Sequence, residues 1–487
     1  MFPNISFSQG DTATTLRAPH TETRSCVMVQ SPAVRPETKG PSAADLAGKL
    51  PETSARGIAA AMTDLIRSGE LPPGASLPTV RALATRLGVS PGTVAEAWAV
   101  LRKHRMITTL GRRGSMVSGP PAISHPVRFE RIGDLGDHLT QDLALAAPDP
   151  ALLPPLEEAL LAGVRTPRLN DYSRTAVTPA LLEAVEGTWP FTPEAWLAVG
   201  GGFEGVHLLC QALLVPGDRV AVEEPTAVRL LDILDALEVR TVPVACDDDG
   251  PLPGSLTEAL SARPAMFLLQ PRGQTPCGWS LGARRAAELA AVLEGAANVS
   301  VVEDDGLGPL AAAPAHSIGS HLPGRTVVVR SYSKAYGPDL RLAVLGGPRS
   351  IVERARVLRT YGTGWTSRIL QDALAHLLTD GATAEYVENA VRHYRLRRVG
   401  LAERLAEHGI ETRNRDGLSL WIPVADETSA LVTLAARGTT ASPGSHFSTS
   451  PHPPHIRTAI TRLPGDAASL DATAALVAHA ARTDRTP

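Results

Sequence analysis

The sequence predicts a multi-domain protein: a small, mainly helical N-terminal domain, a large α/β domain with a mostly parallel sheet, and a smaller C-terminal α+β subdomain. Three observations predict this. The chain has 487 residues, too many for one ordinary hydrophobic core. Residues 51–118 show helical periodicity that ends in a hairpin pattern. From residue 141, short apolar runs alternate with helical segments, as in parallel sheets covered by helices.

Composition limits the classes of function. The formal net charge is -3, so any DNA binding needs a local basic surface. The four cysteines lack disulfide or metal-ligand spacing, which favours a reduced compartment and predicts no metal site. No apolar run approaches the length of a membrane span, and the N-terminus has no signal-peptide core. We expect a cytoplasmic protein with no membrane contact.

Residues 1–50 are rich in Ser, Thr, Pro and Gly and lack apolar periodicity. They predict a disordered leader, to which we assign no function.

The next segment, residues 51–118, predicts three short helices and a β-hairpin. Ile58, Met62 and Leu65 fall on one face of the first helix, and Gly88 ends the second. Ser90 is a predicted N-cap of the third helix, with a proline at the first helical position. Two short β-type runs then flank a Gly-Arg-Arg-Gly turn. This combination is typical of a winged helix-turn-helix, in which the third helix enters the major groove and the hairpin lies along the phosphates.

The stretch "SGELPPGASLPTVRALATRLGVSPGTVAEAWAVL" resembles the GntR-type DNA reader nearly from end to end. One departure is Pro91, where these readers commonly carry Arg, so at least one contact is missing. A small helical interaction domain is the alternative, but it would not need two arginines at a hairpin tip. The resemblance implies a double-stranded DNA operator as partner, contacted by Arg81, Ser90, Thr93, Arg112 and Arg113.

Residues 119–140 are polar and punctuated by Pro and Gly, which predicts an interdomain linker. Residues 141–390 carry the alternating β and α signals of the large domain. Residues 391–487 begin with an arginine-rich helix and return to short strands, which predicts the smaller subdomain.

Lys334 is the centre of the predicted site. It follows the β-branched run of residues 326–330, so we expect it in the loop after a strand, where α/β sheets bind ligands. Ser331 and Ser333 flank it, and Arg341 comes seven residues later. Hydroxyls and a guanidinium suit a phosphate, and a lysine among them can form a Schiff base with an aldehyde. Pyridoxal 5'-phosphate (PLP) carries both groups.

Two further strand ends offer groups for this ligand. Gly201, Gly202 and Phe203 close a predicted strand and open a helix, so their backbone N–H groups can hold an anion. The alternative is a plain tight turn. The run "VVEDD" ends another strand in carboxylates. A buried carboxylate there can keep a pyridinium nitrogen protonated, whereas the alternative is simple solvation of the strand end.

The segments "PRGQTPCG", "VVEDD", "SYSKAYGPDLRLA" and "PHIRTAI" resemble those of the fold-type I aminotransferases in order and approximate spacing. A GntR-type reader joined to such a domain is the MocR architecture. The resemblance implies that Lys334 binds PLP, Asp304 the pyridinium nitrogen, and Arg341 the phosphate. It also implies that Arg457 binds a substrate or effector carboxylate. Tyr172 matches the tyrosine that reaches the phosphate of the partner subunit in a homodimer.

Departures from the aminotransferase pattern weaken the expected ring contacts. Thr275 replaces the Asn that bonds the ring oxygen, Gly306 and Leu307 stand where a Tyr or His is expected, and Ala227 replaces the stacking aromatic. Together these losses amount to roughly 2–4 kcal/mol of cofactor binding if nothing compensates. The sequence therefore favours a PLP-responsive transcription regulator that senses PLP, an amine or an amino acid, with little transaminase turnover. A true aminotransferase with a DNA-binding appendage, and a regulator whose pocket has lost PLP, remain alternatives.

Overall fold

In the computed structural model the chain forms two compact units, Met1–Ile123 and Ser124–Pro487. The structure describes residues 40–103, 106–109, 114–118, 128, 141–166 and 169–484.

The N-terminal unit contains the predicted helices and hairpin. Its three strands form an antiparallel sheet in the order β1-β3-β2. The unit is therefore a winged helix-turn-helix, as predicted. Its elements are α1 Ala43–Ala47, α2 Ala55–Arg67, β1 Ser76–Leu77, α3 Val80–Leu87, α4 Pro91–Lys103, β2 Ile107–Thr109 and β3 Ser115–Val117.

One apolar core holds this unit together. Met62 from α2, Leu83 from α3 and Trp98 from α4 are almost fully buried in it. Side-chain hydroxyls cap the helices, because Ser54 accepts from the Gly57 N–H at 3.0 Å and Thr79 accepts from the N–H of residue 82 at 3.2 Å. Such caps each stabilise a helix by about 1 kcal/mol.

The prediction that residues 1–50 form a disordered leader is wrong for the C-terminal end of that segment. Helix α1 lies within residues 1–50, and a capping box between Ser42 and Asp45 stabilises its first turn. Leu46 and Leu50 are buried in the core of the N-terminal unit. Helix α1 therefore belongs to the folded unit, because these two leucines complete its core.

The C-terminal unit is an α/β domain with a smaller subdomain, also as predicted. Its helices are α5 Glu157–Gly163, α6 Pro179–Glu186, α7 Gly202–Leu213, α8 Val228–Ala236, α9 Pro253–Leu260, α10 Ala283–Glu294, α11 Ser333–Tyr336, α12 Arg349–Arg359, α13 Arg368–Thr379, α14 Gly381–Glu407, α15 Glu427–Ala435 and α16 Ala467–Ala481. Its strands are β4 Gln141–Asp142, β5 Ala195–Val199, β6 Arg219–Glu224, β7 Arg240–Asp247, β8 Gly250–Pro251, β9 Met266–Leu269, β10 Ser300–Asp305, β11 Thr326–Ser331, β12 Ala343–Gly347, β13 Ser419–Pro423, β14 Thr439–Thr440, β15 Ser442–Pro443 and β16 His455–Ala459.

The large sheet has eight strands among the described residues, in the order β5-β12-β11-β10-β9-β6-β7-β8. Strands β11, β10, β9, β6 and β7 pair in parallel, whereas β12 runs antiparallel to both of its neighbours. Because β5 and the central strands point the same way, their C-terminal ends meet at one edge of the sheet. The predicted strand-end residues therefore share that edge.

Apolar side chains pack against both faces of this sheet. Leu197 and Leu345 belong to the core that also contains α7, α8 and α12. The neighbouring residues Ala198 and Val344 point to the opposite face and join the core of α6, α13 and α14. This alternation is the pattern of a strand buried on both faces.

The smaller subdomain is built on the antiparallel sheet β13-β16-β15, with α14, α15 and α16 in its core. Helix α14 runs through residue 390, so the predicted boundary between 390 and 391 falls inside a continuous helix. The predicted linker, residues 119–140, lies outside the described residues except for Arg128. None of the helices in the described part of the chain has the length and apolar character that a membrane span needs.

Candidate cofactor pocket

A cavity of about 660 Å³ lies at the C-terminal ends of the central strands, where it also reaches the smaller subdomain. Among the groups that line it are the lysine, two guanidinium groups and the carboxylate that the sequence analysis predicted from separate segments. The predicted residues that line it are Gly202, Phe203, Thr275, Asp304, Ser331, Ser333, Lys334, Arg341 and Arg457.

Lys334 lies one turn beyond β11. We expected Lys334 in a loop, but it lies in a single helical turn, α11. This part of the prediction was wrong. Desolvation in the cavity lowers the pKa of the Lys334 ammonium; the Asp304 carboxylate opposes the shift, and Arg457 adds to it. A lysine with a lowered pKa is a better nucleophile toward an aldehyde. It is also the only lysine beyond residue 103.

The three acidic residues of "VVEDD" have three different environments. Glu303 accepts hydrogen bonds from the Ser317 hydroxyl at 2.6 Å and the Ile318 N–H at 2.7 Å. Asp304, the next residue, lines the cavity. Burial raises the pKa of Asp304 to about 6, although the Lys334 charge and a hydrogen bond from Gln270 act against this. A cationic ring nitrogen beside Asp304 would favour its charged form.

Asp305 has a structural environment instead. Arg272 Nη2 and Arg330 Nε contact its Oδ2 at 2.5 and 2.7 Å. Burial alone would raise the pKa of Asp305, but the two guanidinium groups hold it below its usual value. This cluster fixes the end of β10 next to Asp304, because the Asp305 side chain cannot move without leaving two charges unpaired.

Gln270, which the sequence analysis missed, positions two of the predicted residues. Its Nε2 donates to Asp304 Oδ2 at 3.1 Å, and its Oε1 accepts from the Thr275 backbone N–H at 3.1 Å. It directly follows β9, so its place after a buried strand was a signal that could have identified it.

Another part of the cavity lining is an anion cradle formed by the start of α7 and Arg341. Gly201 has φ 121°, and a Cβ built on it would lie 3.1 Å from Arg341 Nη2. A Cβ on Gly202 would lie 3.2 Å from the Ser331 Cβ. Glycine is favoured at Gly201 because L side chains rarely adopt this φ, and at Gly202 because a Cβ would crowd Ser331. The free N–H groups of a helix N-terminus, a guanidinium and hydroxyls are the donors that a phosphate needs.

Arg457 enters the cavity from the smaller subdomain. Its Nη1 donates to the Ala144 carbonyl at 2.7 Å and to Ser442 Oγ at 3.4 Å, whereas its buried Nε has no hydrogen-bond partner among the described residues. Burial lowers the pKa of Arg457 to about 10, with Asp142 opposing. A buried guanidinium with an unused donor is suited to bind a ligand carboxylate.

Tyr172 does not line the cavity in this single chain. Its side chain is 87 % exposed, and its ring contacts Trp365 edge-on, with the centroids 6.0 Å apart. Its predicted contact with a partner subunit's phosphate stays a prediction.

The residues present fit PLP. The glycine cradle with Arg341 and the two serines can hold the phosphate, Lys334 can hold the aldehyde carbon, and Asp304 can hold the ring nitrogen. The departures noted in the sequence, Thr275, Leu307 and Ala227, also line the cavity, so its lining differs from the aminotransferase pattern at these positions.

The predicted DNA contacts lie in the N-terminal unit. Arg81 is exposed on α3, and Ser90 is exposed at the start of α4. The Ser90 Oγ accepts from the Thr93 N–H at 3.1 Å and contacts the Thr93 hydroxyl at 2.9 Å, so both residues also stabilise the first turn of α4. The predicted wing-tip residues Arg112 and Arg113 lie outside the described residues.

Two protein-family models match the chain. The model for bacterial regulatory proteins of the gntR family matches residues 54–117. The model for aminotransferase class I and II matches residues 141–464, more than half of the chain.

Three transcriptional regulators are similar to this chain over most of their own length. The vitamin B6 salvage pathway transcriptional repressor PtsJ of Salmonella typhimurium is 34 % identical over 390 residues, which cover 79 % of this chain and 89 % of PtsJ. The pyridoxine biosynthesis transcriptional regulator PdxR of Corynebacterium glutamicum is 28 % identical, with coverages of 79 % and 86 %. The transcriptional regulator TauR of Rhodobacter capsulatus is 28 % identical, with coverages of 79 % and 88 %.

Solved structures resemble the C-terminal unit in fold. A multiple substrate aminotransferase from Thermococcus profundus has a TM-score of 0.65 at 18 % identity and covers 73 % of this chain and 93 % of that enzyme. An aspartate aminotransferase from Thermus thermophilus has a TM-score of 0.61 at 22 % identity, with coverages of 74 % and 97 %. These likenesses establish the aminotransferase fold.

Proposed function

We propose that this chain, which belongs to the MocR-type family of transcriptional regulators, binds an operator through its N-terminal unit and changes its operator affinity when PLP occupies the cavity. The observation that best supports the proposal is the position of Lys334. It lines one cavity together with Asp304 and Arg341, and it is the only lysine beyond residue 103.

The cavity supports sensing of PLP or of a compound that reacts with it. When bound, PLP supplies an aldehyde that condenses reversibly with primary amines. Arg457 would then orient an effector that carries both an amine and a carboxylate. Because the names of PtsJ and PdxR refer to vitamin B6 salvage and pyridoxine biosynthesis, we extend the proposal to control of vitamin B6 genes.

We also propose a homodimer, with two readers on repeated half-sites. The exposed ring of Tyr172 supports this arrangement, since it is available to a second subunit. Operator reading is assigned to residues 42–118, which includes the helix α1 that completes the core of that unit.

An aminotransferase with a DNA-binding appendage is the competing function. Lys334 and Arg457 favour it, because they are the groups that amino-acid chemistry would use. Thr275, Leu307 and Ala227 oppose it, since each lacks the ring contact expected at its position. A transamination half-reaction assay with PLP-loaded protein separates the regulator from the aminotransferase. Full conversion of the cofactor by an amino acid would support the aminotransferase function.

Titration of the operator at fixed salt, with and without PLP, tests the regulator. We expect operator affinity to change by about 5- to 150-fold, the usual range of coupling between two sites. Lys334→Ala should stay near the PLP-free value, because it cannot hold the cofactor covalently. Superimposable wild-type curves, with PLP shown to be bound, would contradict the proposal.

A further inference from the structure

We propose that Arg229 is a second phosphate-binding guanidinium of the cavity, beside Arg341, and that the pair selects the phosphorylated form of pyridoxal over the unphosphorylated form. The inference rests on the proposed function and assigns the residue that sets ligand selectivity within it.

Arg229 lies next to the anion cradle. It is the second residue of α8, and it lines the same cavity as Lys334 and Arg341. Its guanidinium carbon lies 4.9 Å from the centre of the Phe203 ring, in a cation–π contact. Phe203 belongs to the first turn of α7, so this contact holds the Arg229 charge beside the helix N-terminus.

Arg341 borders the same helical turn through a different residue. Its Nη2 is the nearest atom to a Cβ built on Gly201, at 3.1 Å. Two guanidinium groups therefore flank residues 201–203, where the helix dipole adds further positive potential. Burial lowers the pKa of the Arg229 guanidinium, and the Arg341 charge lowers it further, while Asp232 opposes both.

This concentration of positive charge matches a phosphate better than a carboxylate. Asp232 and Glu204 also line the cavity, but Asp232 Oδ1 accepts from the Arg128 backbone N–H and side chain, and Glu204 Oε1 lies 3.7 Å from Arg359 Nε. A phosphate monoester brings up to two negative charges and three acceptor oxygens, which the two guanidinium groups, the two serines and the helix N–H groups can share. The cation suited to a carboxylate, Arg457, comes from the smaller subdomain.

The alternative is that Arg229 only packs on Phe203 and pairs with Asp232. Arg229→Met tests this, because methionine keeps an unbranched stem over the ring but removes the charge. Arg229→Lys keeps a charge without the planar fork of donors. Arg240→Met is a matched control, since Arg240 is exposed at the start of β7.

The experiment compares equilibrium binding of PLP and of pyridoxal, which lacks the phosphate, to each full-length variant. We expect Arg229→Met to lose about 10- to 100-fold in PLP affinity and less than about threefold in pyridoxal affinity. Arg229→Lys should lose less for PLP, and Arg240→Met should match the wild type with both ligands. Inorganic phosphate should compete with PLP less effectively in Arg229→Met than in the wild type.

The ratio of the two affinities within one variant decides the question, because partial unfolding would lower both apparent affinities together. An unchanged ratio in Arg229→Met overturns the inference, whether the two affinities fall equally or not at all. A wild type that binds neither ligand covalently at Lys334 contradicts the proposed function instead, so the two failures are distinguishable.

Discussion

Gln270 and Asp304 are joined by a hydrogen bond of 3.1 Å from Nε2 to Oδ2, which links the end of β9 to the end of β10. The same Gln270 side chain accepts from the backbone of Thr275. One residue therefore positions both the carboxylate proposed to face the cofactor ring and the segment that stands where aminotransferases carry the Asn.

Gln270→Ala should weaken PLP binding by about tenfold, because it removes a hydrogen bond to the charged Asp304 and releases Thr275. Equilibrium titration of the apo-protein with PLP measures this. Gln211→Ala, at an exposed position of α7, is the control and should bind like the wild type. Equal PLP affinity in Gln270→Ala would show that Asp304 is held without it.

Asp304→Asn should remove one loss of apo-protein stability that accompanies rising pH between about pH 4 and 6. Burial raises the Asp304 pKa to about 6 from its usual 3.8, so the folded state holds this proton more tightly than the unfolded state. The wild type therefore has the resulting stability at low pH and loses it as pH rises through this window. The free energy of unfolding, measured with urea across the window, should fall less or rise more with pH in Asp304→Asn than in the wild type.

Glu385→Gln is the control for this measurement, since Glu385 is exposed on α14 and should leave the slope unchanged. Identical slopes in the wild type and Asp304→Asn would mean that Asp304 titrates like an exposed carboxylate.

Lys334→Ala should abolish covalent trapping of PLP by borohydride and the visible absorbance of the bound cofactor. The wild type should carry the reduced cofactor on one peptide, since no other lysine follows residue 103. Peptide mass mapping after reduction identifies it. Lys49→Ala, in the N-terminal unit, should trap as the wild type does; a label that persists in Lys334→Ala would identify a different lysine.

Arg457→Lys should weaken the response to amino acids without weakening the response to simple amines. The guanidinium has an unused buried Nε that a carboxylate can engage, and lysine cannot reproduce that geometry. Spectral titration of PLP-loaded protein should show about tenfold weaker binding of alanine and unchanged binding of ethylamine. Arg462→Lys, at an exposed position, is the control. Equal losses for both ligands would assign Arg457 to the cofactor itself.

Replacing Arg112 and Arg113 together by alanine should weaken binding to operator and to random DNA alike. The wing is expected to contact phosphates, so the slope of log affinity against log salt should fall by about two. The control is Arg240→Ala combined with Arg354→Ala, because it removes the same charge from exposed positions of the C-terminal unit. A loss confined to the operator would show that the wing reads bases.

The sequence was most informative where function depends on a local pattern. Asp304 lies at the end of a recognisable strand and Lys334 and Arg341 follow another, and parallel strands bring such residues to one edge of the sheet. Arg457 was identified by resemblance, and the structure places it in the same cavity although it comes from a different sheet.

Residues without a local pattern were missed. Arg229 lies inside an ordinary amphipathic helix, and only the approach of α8 to α7 brings it to Phe203. The short helix α1 was missed because its polar, Ala-rich surroundings resemble disorder, although the Ser42 and Asp45 spacing is a capping signal.

The segment that follows the predicted linker forms part of the cavity wall. Residues 144–148 line it, the Ala144 carbonyl accepts from Arg457, and β4 pairs with β14 three residues earlier. Any chimera that gives this sensor a different DNA reader must therefore be joined upstream of Gln141. A junction placed a few residues later would exchange part of the binding site together with the reader.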